Sequence, residues 1–217
     1  MKPIVILGAG GHGRETALLI SQINGASPTW ELLGFLDDDA QLHGTLVAGS
    51  PILGGIGAFA QLPRGTHAAL GVGTPSVKRS IVERLPSTTP LPRLTHPSVL
   101  LGDRVAIGTG TQLHAGTIIT CDVRIGRVVT INRRCDLSHD SVLGDFVTLA
   151  PCVSLAGDVQ LADDVEAGIR STCIPGVRVG ARTVIGAGAV VVHSLPGGVT
   201  AVGIPARPIG ARACSCF

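Results

Sequence analysis

From Leu101 onward, an apolar residue returns every sixth position. The series runs Leu101, Ile107, Leu113, Ile119, Ile125, Ile131, Leu137, Leu143, Leu149, Leu155, Leu161, Ala167, Cys173, Val179, Ile185, Val191, and fourteen of the sixteen are Ile, Leu or Val. The fourth residue after each of the first fifteen anchors is small or β-branched, from Val105 to Ala189. Neither the helical period of 3.6 nor simple alternation gives such a series. A short strand, a turn and a return to the same inward position every six residues describe one side of a triangular prism. Three sides make a coil of 18 residues. Stacked coils pair their strands in parallel about 4.8 Å apart and place each aliphatic anchor on the one 18 residues away. Residues 101–190 hold fifteen such hexads without an insertion. Gly follows the anchor in seven of them (102, 108, 126, 144, 168, 180, 186), which predicts a tight corner there.

The first part of the chain has a different rhythm. Lys2–Leu7 reads as a buried strand, the run from Gly8 to Glu15 as a glycine-rich turn, and Thr16–Ile23 as a helix. Leu32–Leu36 predicts a second strand ending at Asp37, Asp38 and Asp39, and Ala68–Gly73 a third before a helix over Ser76–Leu85. Gly8, Gly10 and Gly13 satisfy G-x-G-x-x-G, the arrangement that lets a phosphate approach a helix N-terminus. Roughly 95 residues are too few for both halves of a dinucleotide domain. A nucleotide or nucleotide-sugar is therefore the favoured ligand, with a dinucleotide and a purely structural turn as alternatives. Pro86, Pro90, Pro92 and Pro97 mark a linker. The division is 1–95 for a Rossmann-like nucleotide-sugar-binding domain and 96–217 for the repeat with a C-terminal cap.

Composition explains the repeat and narrows function. Among 217 residues there are 30 Gly, four Phe, one Trp and no Tyr, so a core of stacked branched aliphatics leaves little use for rings. A net charge of +2 with no long basic tract gives nucleic acid no electrostatic footprint. No apolar run approaches membrane-spanning length and the N-terminus lacks a signal-peptide pattern, so a cytoplasmic, membrane-free protein is expected. None of the six cysteines forms a Cys-x-x-Cys pair, and no three-His set spans a coil interface, so no metal is expected. The cysteines of the terminal Cys214-Ser215-Cys216 have no assigned role.

The 18-residue period also aligns chemistry. Cys121, His139 and Gly157 form one vertical row, Asp122, Asp140 and Asp158 the next, and His114, Asn132 and Ala150 a third. A histidine base about 5 Å from a backbone N–H can flank a reacting carbonyl, one serving the nucleophile and the other the oxyanion. Asp140 is placed to orient the imidazole. The aspartate row brings like charges together, which costs energy unless they are solvated or paired.

The hexads resemble those of the hexapeptide-repeat acyltransferases, whose coils form a left-handed parallel β-helix. Further marks are Gly8-Ala9-Gly10-Gly11-His12-Gly13, Phe35-Leu36-Asp37-Asp38, Gly71-Val72-Gly73, Thr95-His96-Pro97-Ser98, Leu137-Ser138-His139-Asp140, Leu155-Ala156-Gly157 and Gly203-Ile204-Pro205-Ala206-Arg207. Over about residues 2–209 the chain resembles sugar O- and N-acetyltransferases related to the sialic acid O-acetyltransferase and to enzymes acetylating nucleotide-linked 4-amino-6-deoxysugars. The resemblance implies a homotrimer with acetyl-CoA lying between neighbouring β-helices. It implies His139, Asp140 and Asn132 as catalytic, and Thr148, Gly157, Ile169 and Ala187 at the CoA. Gly10, Gly11, His12, Asp37, Asp38 and Gly73 fall at the nucleotide-sugar. Thr148 stands where many members carry a second histidine, and Ala187 replaces a common glycine. The expected reaction is N-acetylation of a nucleotide-linked amino sugar, with sugar O-acetylation or a non-catalytic trimeric scaffold as alternatives.

Overall fold

The computed structural model describes residues 1–211 of the chain, with side chains to residue 209. The cysteines at 214 and 216 lie outside the described residues. Two compact units follow one another, Met1–Pro97 and Ser98–Phe217.

The first unit holds a three-stranded parallel sheet. β1 (Lys2–Leu7) leads into α1 (Gly11–Ala26), then β2 (Trp30–Leu36), a short hairpin of β3 (Leu46–Val47) and β4 (Ser50–Pro51), β5 (His67–Leu70) and α2 (Pro75–Arg84). The sheet order is β2-β1-β5, so β1 is central and its neighbours are reached in opposite directions. Central position requires an apolar residue on both faces, and Ile4, Val5, Ile6 and Leu7 are all fully buried. The helix α1 begins five residues before the sequence suggests. Gly11 and Gly13 hide its start, because glycine is a poor helix former, yet Ala17, Leu19 and Ile20 hold the helix on the sheet by packing.

The second unit is a parallel β-helix of two-residue strands. Face one stacks Leu100–Leu101, Ile118–Ile119, Asp136–Leu137, Ser154–Leu155, Thr172–Cys173 and Val190–Val191. Face two stacks Ala106–Ile107, Arg124–Ile125, Val142–Leu143, Gln160–Leu161 and Arg178–Val179. Face three carries Gln112–Leu113, Thr130–Ile131, Thr148–Leu149, Glu166–Ala167 and Val184–Ile185, followed by Val199–Val202 and Arg207–Ala211. Up to Val191 the ladders pair residue i with i+18, as Leu137 with Leu155 and Ile131 with Leu149, whereas Val184–Ile185 pair with Thr200–Ala201 at a spacing of sixteen and Arg207–Ala211 closes the face antiparallel to Val199–Val202. The anchors from Leu113 to Val191 and the β-branched residues four positions on make one continuous core. Leu101 remains 47% exposed, because its strand has a neighbour on one side only. The single aromatic of the described coils, Phe146, is buried at a corner outside that core, with the Arg127 guanidinium 5.1 Å from its ring centre.

The corners differ from the expectation. The left-handed backbone falls three residues after each anchor. It occurs at all fifteen positions from 104 to 188 in steps of six, and only four of them (110, 116, 176, 188) are Gly. Asp, Arg, Val, Phe and Cys occupy the others, at a conformational cost of about 1 kcal/mol each. A hydrogen bond to the preceding coil offsets it: the Asp158 N–H donates to His139 O at 2.9 Å and the Asp164 N–H to Asp145 O at 3.0 Å. The glycine directly after the anchor has another task. A Cβ on Gly126 would lie 2.6 Å from the Gly144 carbonyl carbon, so this is where successive coils touch. Among the described residues no helix is long and apolar enough to cross a membrane.

Candidate active site

His139 stands on the corner between faces one and two. It follows the strand Asp136–Leu137 by two residues and is 62% exposed. Asp140 takes the left-handed position, φ 61°, which lets its carboxylate reach back to its own neighbour. His139 Nδ1 lies 2.8 Å from Asp140 Oδ2. In the tautomer in which Nδ1 donates to this carboxylate, the Nε2 lone pair is the one left available. Gly157, one coil further, lies against the ring: a Cβ there would be 2.5 Å from His139 Cε1 and 2.7 Å from Nε2. The coil ladder takes the N–H groups of Ala156 (to Cys173 O, 3.1 Å) and Asp158 (to His139 O, 2.9 Å), on either side of Gly157.

The aspartate row is not a stack of bare charges. Arg104 donates two hydrogen bonds to Asp122, at 2.6 and 2.8 Å, and holds its carboxyl below the usual range. Asp140 has His139, and Asp158 is 3.5 Å from the Gln160 amide.

The remaining expected residues of this unit lie elsewhere. Ile169 and Ala187 are one coil apart at the corner between faces three and one, with Ile169 46% exposed. Asn132 is at that same corner, and its Oδ1 accepts the Arg133 N–H at 2.8 Å. Thr148 is buried on face three. A side of the prism spans at most about 20 Å at 3.3 Å per residue. Within one chain, then, His139, Asp140 and Gly157 come together, and Asn132, Ile169 and Ala187 sit on a different edge.

In the first unit, the glycines divide into two kinds. Gly8, Gly13 and Gly71 pack on one another: a Cβ on Gly71 would lie 2.7 Å from Ile6 Cγ2 and 2.9 Å from Gly13 Cα. Around Gly10 and Gly73 nothing lies within 4 Å of such an atom, and at Gly11 only Arg14 Nη2, at 4.0 Å. The first and third glycines of G-x-G-x-x-G are thus demanded by packing and the middle one is not. Gly10 caps α1 without a side-chain hydrogen bond.

Asp37 and Asp38 both bind the chain itself. Asp37 accepts the Ala9 N–H at 2.7 Å on one oxygen and the Asp39 N–H at 2.9 Å on the other. Asp38 accepts the Ile56 N–H at 2.9 Å and two bonds from Arg84, at 2.6 and 3.2 Å. Arg84 is the first cause of the lowered Asp38 pKa. His12, second residue of α1, is largely buried, and burial pushes its pKa below the ordinary value of 6.5. Three residues here escaped the sequence reading: Arg84, Glu15 with Oε2 3.5 Å from His12 Nδ1, and Lys78, fully buried on α2. Lys78 did leave a signal, since it lies three residues before Ile81 on the buried helix face.

Comparison with known proteins supplies the relatives. Residues 3–85 match the PglD N-terminal domain. A GDP-perosamine N-acetyltransferase of Escherichia coli O157:H7 is 31% identical over 150 residues, 67% of this chain. That match spans 66% of the curated relative's length. Among solved structures, PerB from Caulobacter crescentus in complex with CoA and GDP-perosamine superposes with a TM-score of 0.80 at 29% identity, covering 97% of this chain and 98% of its own. The acetyltransferase domain of PglB from Neisseria gonorrhoeae FA1090, in complex with acetyl coenzyme A, gives 0.85 at 27%, with coverage of 96% and 99%. WeeI from Acinetobacter baumannii AYE gives 0.86 at 28%, with coverage of 96% and 100%. Similar in both units, and over nearly the whole length of these structures, the chain belongs to the hexapeptide-repeat sugar acetyltransferases that carry a PglD-type N-terminal domain.

Proposed function

We propose that the protein transfers the acetyl group of acetyl-CoA to the amino group of a nucleotide-linked 4-amino-6-deoxysugar, with His139 as general base. The observation that carries this reading is the His139–Asp140 pair, 2.8 Å apart, lying over the backbone of Gly157. The ligands of the relatives, CoA with GDP-perosamine and acetyl coenzyme A, support the choice of donor and acceptor.

The sugar amine attacks the thioester carbonyl and gives its proton to His139 Nε2. Asp140 keeps Nδ1 protonated and stabilises the imidazolium. The carbonyl oxygen gains charge and faces the Gly157 N–H. Collapse re-forms the carbonyl as an amide, breaks the C–S bond and releases CoA as a thiolate that takes up a proton. The diphosphate of the acceptor belongs at the open glycines, Gly10, Gly11 and Gly73, where helix N–H groups point at an anion.

The split between two prism edges supports a homotrimer. A three-fold arrangement brings the Asn132–Ile169–Ala187 edge of one copy to the His139 edge of the next, so CoA lies between subunits.

The test is release of free CoA from acetyl-CoA with GDP-, UDP- and dTDP-linked 4-amino-6-deoxysugars and their 4-hydroxy counterparts. Turnover of an amino sugar that His139→Ala removes is the expected result. Turnover confined to the 4-hydroxy sugars would replace N- by O-acetylation. Full activity of His139→Ala would overturn the mechanism.

A further inference from the structure

The sheet order β2-β1-β5 puts the topological switch point between β1 and β5, and each of these strands feeds a helix at its C-terminal end. The two helices bring a cluster of titratable groups to that crevice. His12 comes from the first turn of α1, beside the open positions Gly10 and Gly11. Glu15 comes from the same helix, its Oε2 3.5 Å from His12 Nδ1 and its side chain 43% exposed. Lys78 comes from α2 with no exposed surface, and its charge is felt at His12. Asp37 holds the same loop through the Ala9 N–H. A fully buried lysine is rare and a largely buried histidine uncommon, so both at one loop need a reason beyond packing.

We propose that His12, Glu15 and Lys78 form a charge-balanced cluster that makes nucleotide-sugar binding proton-linked, His12 gaining a proton from solvent as the diphosphate arrives. This deepens the assignment of the crevice to the acceptor and rests on it. In the free protein, burial is the largest influence on His12 and Lys78 acts in the same direction, both against protonation, while Glu15 opposes them. A diphosphate at Gly10 and Gly11 brings negative charge beside the ring and favours the imidazolium. Between the free and bound pKa values, binding takes up a proton, so affinity strengthens as pH falls. Glu15 and Lys78 are positioning residues in this scheme. They set where on the pH axis the uptake occurs, and neither needs to touch the ligand.

The test is calorimetric titration of the full chain with GDP-mannose and UDP-glucose. Their diester phosphates do not titrate between about pH 5 and 9, so a pH-dependent affinity belongs to the protein. Titrations at a fixed pH in two buffers of different ionisation enthalpy count the protons exchanged. The expected result is proton uptake in the wild type, with affinity severalfold tighter at pH 6 than at pH 8, and loss of both effects in His12→Gln. Glu15→Gln should move the pH midpoint down and Lys78→Met should move it up. A purely structural cluster would not shift in opposite directions. Should Lys78→Met fail to fold, the exposed Glu15→Gln and His12→Gln suffice. Binding without buffer or pH dependence overturns the inference and leaves the crevice assignment standing. Failure of both probes, and of the nucleoside diphosphates, to bind overturns the assignment and the inference together.

Discussion

The imidazole of His139 fills the space in which a side chain at residue 157 would begin: a Cβ on Gly157 would fall 2.5 Å from Cε1 and 2.7 Å from Nε2. Gly157 is not among the left-handed glycines, so its backbone accepts alanine without strain. Gly157→Ala should therefore leave the fold intact and displace the His139 imidazole, which on the proposed mechanism takes the base out of line. We expect kcat to fall about 10²-fold, the scale of losing a positioned base, with little change in melting temperature. Unchanged kcat would separate His139 from the reaction.

Asp140→Asn tests the carboxylate at almost constant shape. Asn tolerates the left-handed position that Asp140 holds at φ 61°. The amide can still meet Nδ1, but it does not stabilise an imidazolium as a carboxylate does. The expected outcome is a fall in kcat of roughly 10-fold or more, with KM for acetyl-CoA little changed, and a smaller loss than from His139→Ala.

Two substitutions in the coils separate the two kinds of corner. Gly126→Ala sets a methyl group 2.6 Å from the Gly144 carbonyl carbon and should cost about 1–3 kcal/mol of stability, read from denaturant or thermal unfolding. Asp164→Gly relieves a left-handed non-glycine residue at φ 59° and should be neutral within about 1 kcal/mol. The reverse ranking would mean that the left-handed positions, and not the coil contacts after the anchors, limit the stability of the coils.

Arg84 and Asp38 make an exposed clasp, so its contribution to stability is small, at most about 1 kcal/mol. Its sign with pH is fixed. Asp38 has a lowered folded-state pKa, so the stabilisation is complete above the ordinary value of 3.8 and is lost as pH falls through the lowered one. Arg84→Gln should shrink that acid-side component of the unfolding curve to what the Ile56 N–H still provides. It should also raise KM for the nucleotide-sugar more than it lowers kcat, because the clasp holds the end of β2 against the Ile56 N–H. A kcat effect alone would point away from a role at the crevice.

The coil register could be read directly from the chain because each inward anchor must be apolar and must recur, and Leu137 over Leu155 is such a pair. The His139–Gly157 row followed from the same arithmetic. The left-handed corners could not be read, because a backbone hydrogen bond to the coil below stabilises them whatever side chain is present, as at Val128 and Phe146. For the same reason Gly after the anchor suggested a turn, when it reflects contact between coils. In the first unit the strands were legible as apolar runs. Arg84 and Glu15 were not, because an exposed charge on a helix has no distinguishing pattern until its partner is known.

From Leu101 to Val191 the 18-residue period is unbroken, and over that span the β-helix behaves like a screw thread. Deleting one whole coil, such as residues 98–115, shortens the thread and leaves every later residue on the edge it already occupies. Deleting a single hexad below His139 turns the upper part by one third of a revolution, so that His139, still beside Asp140, moves to a different edge of the prism relative to the coils below. The unit of tolerated length change in this protein is therefore eighteen residues, and a change of six is a rotation.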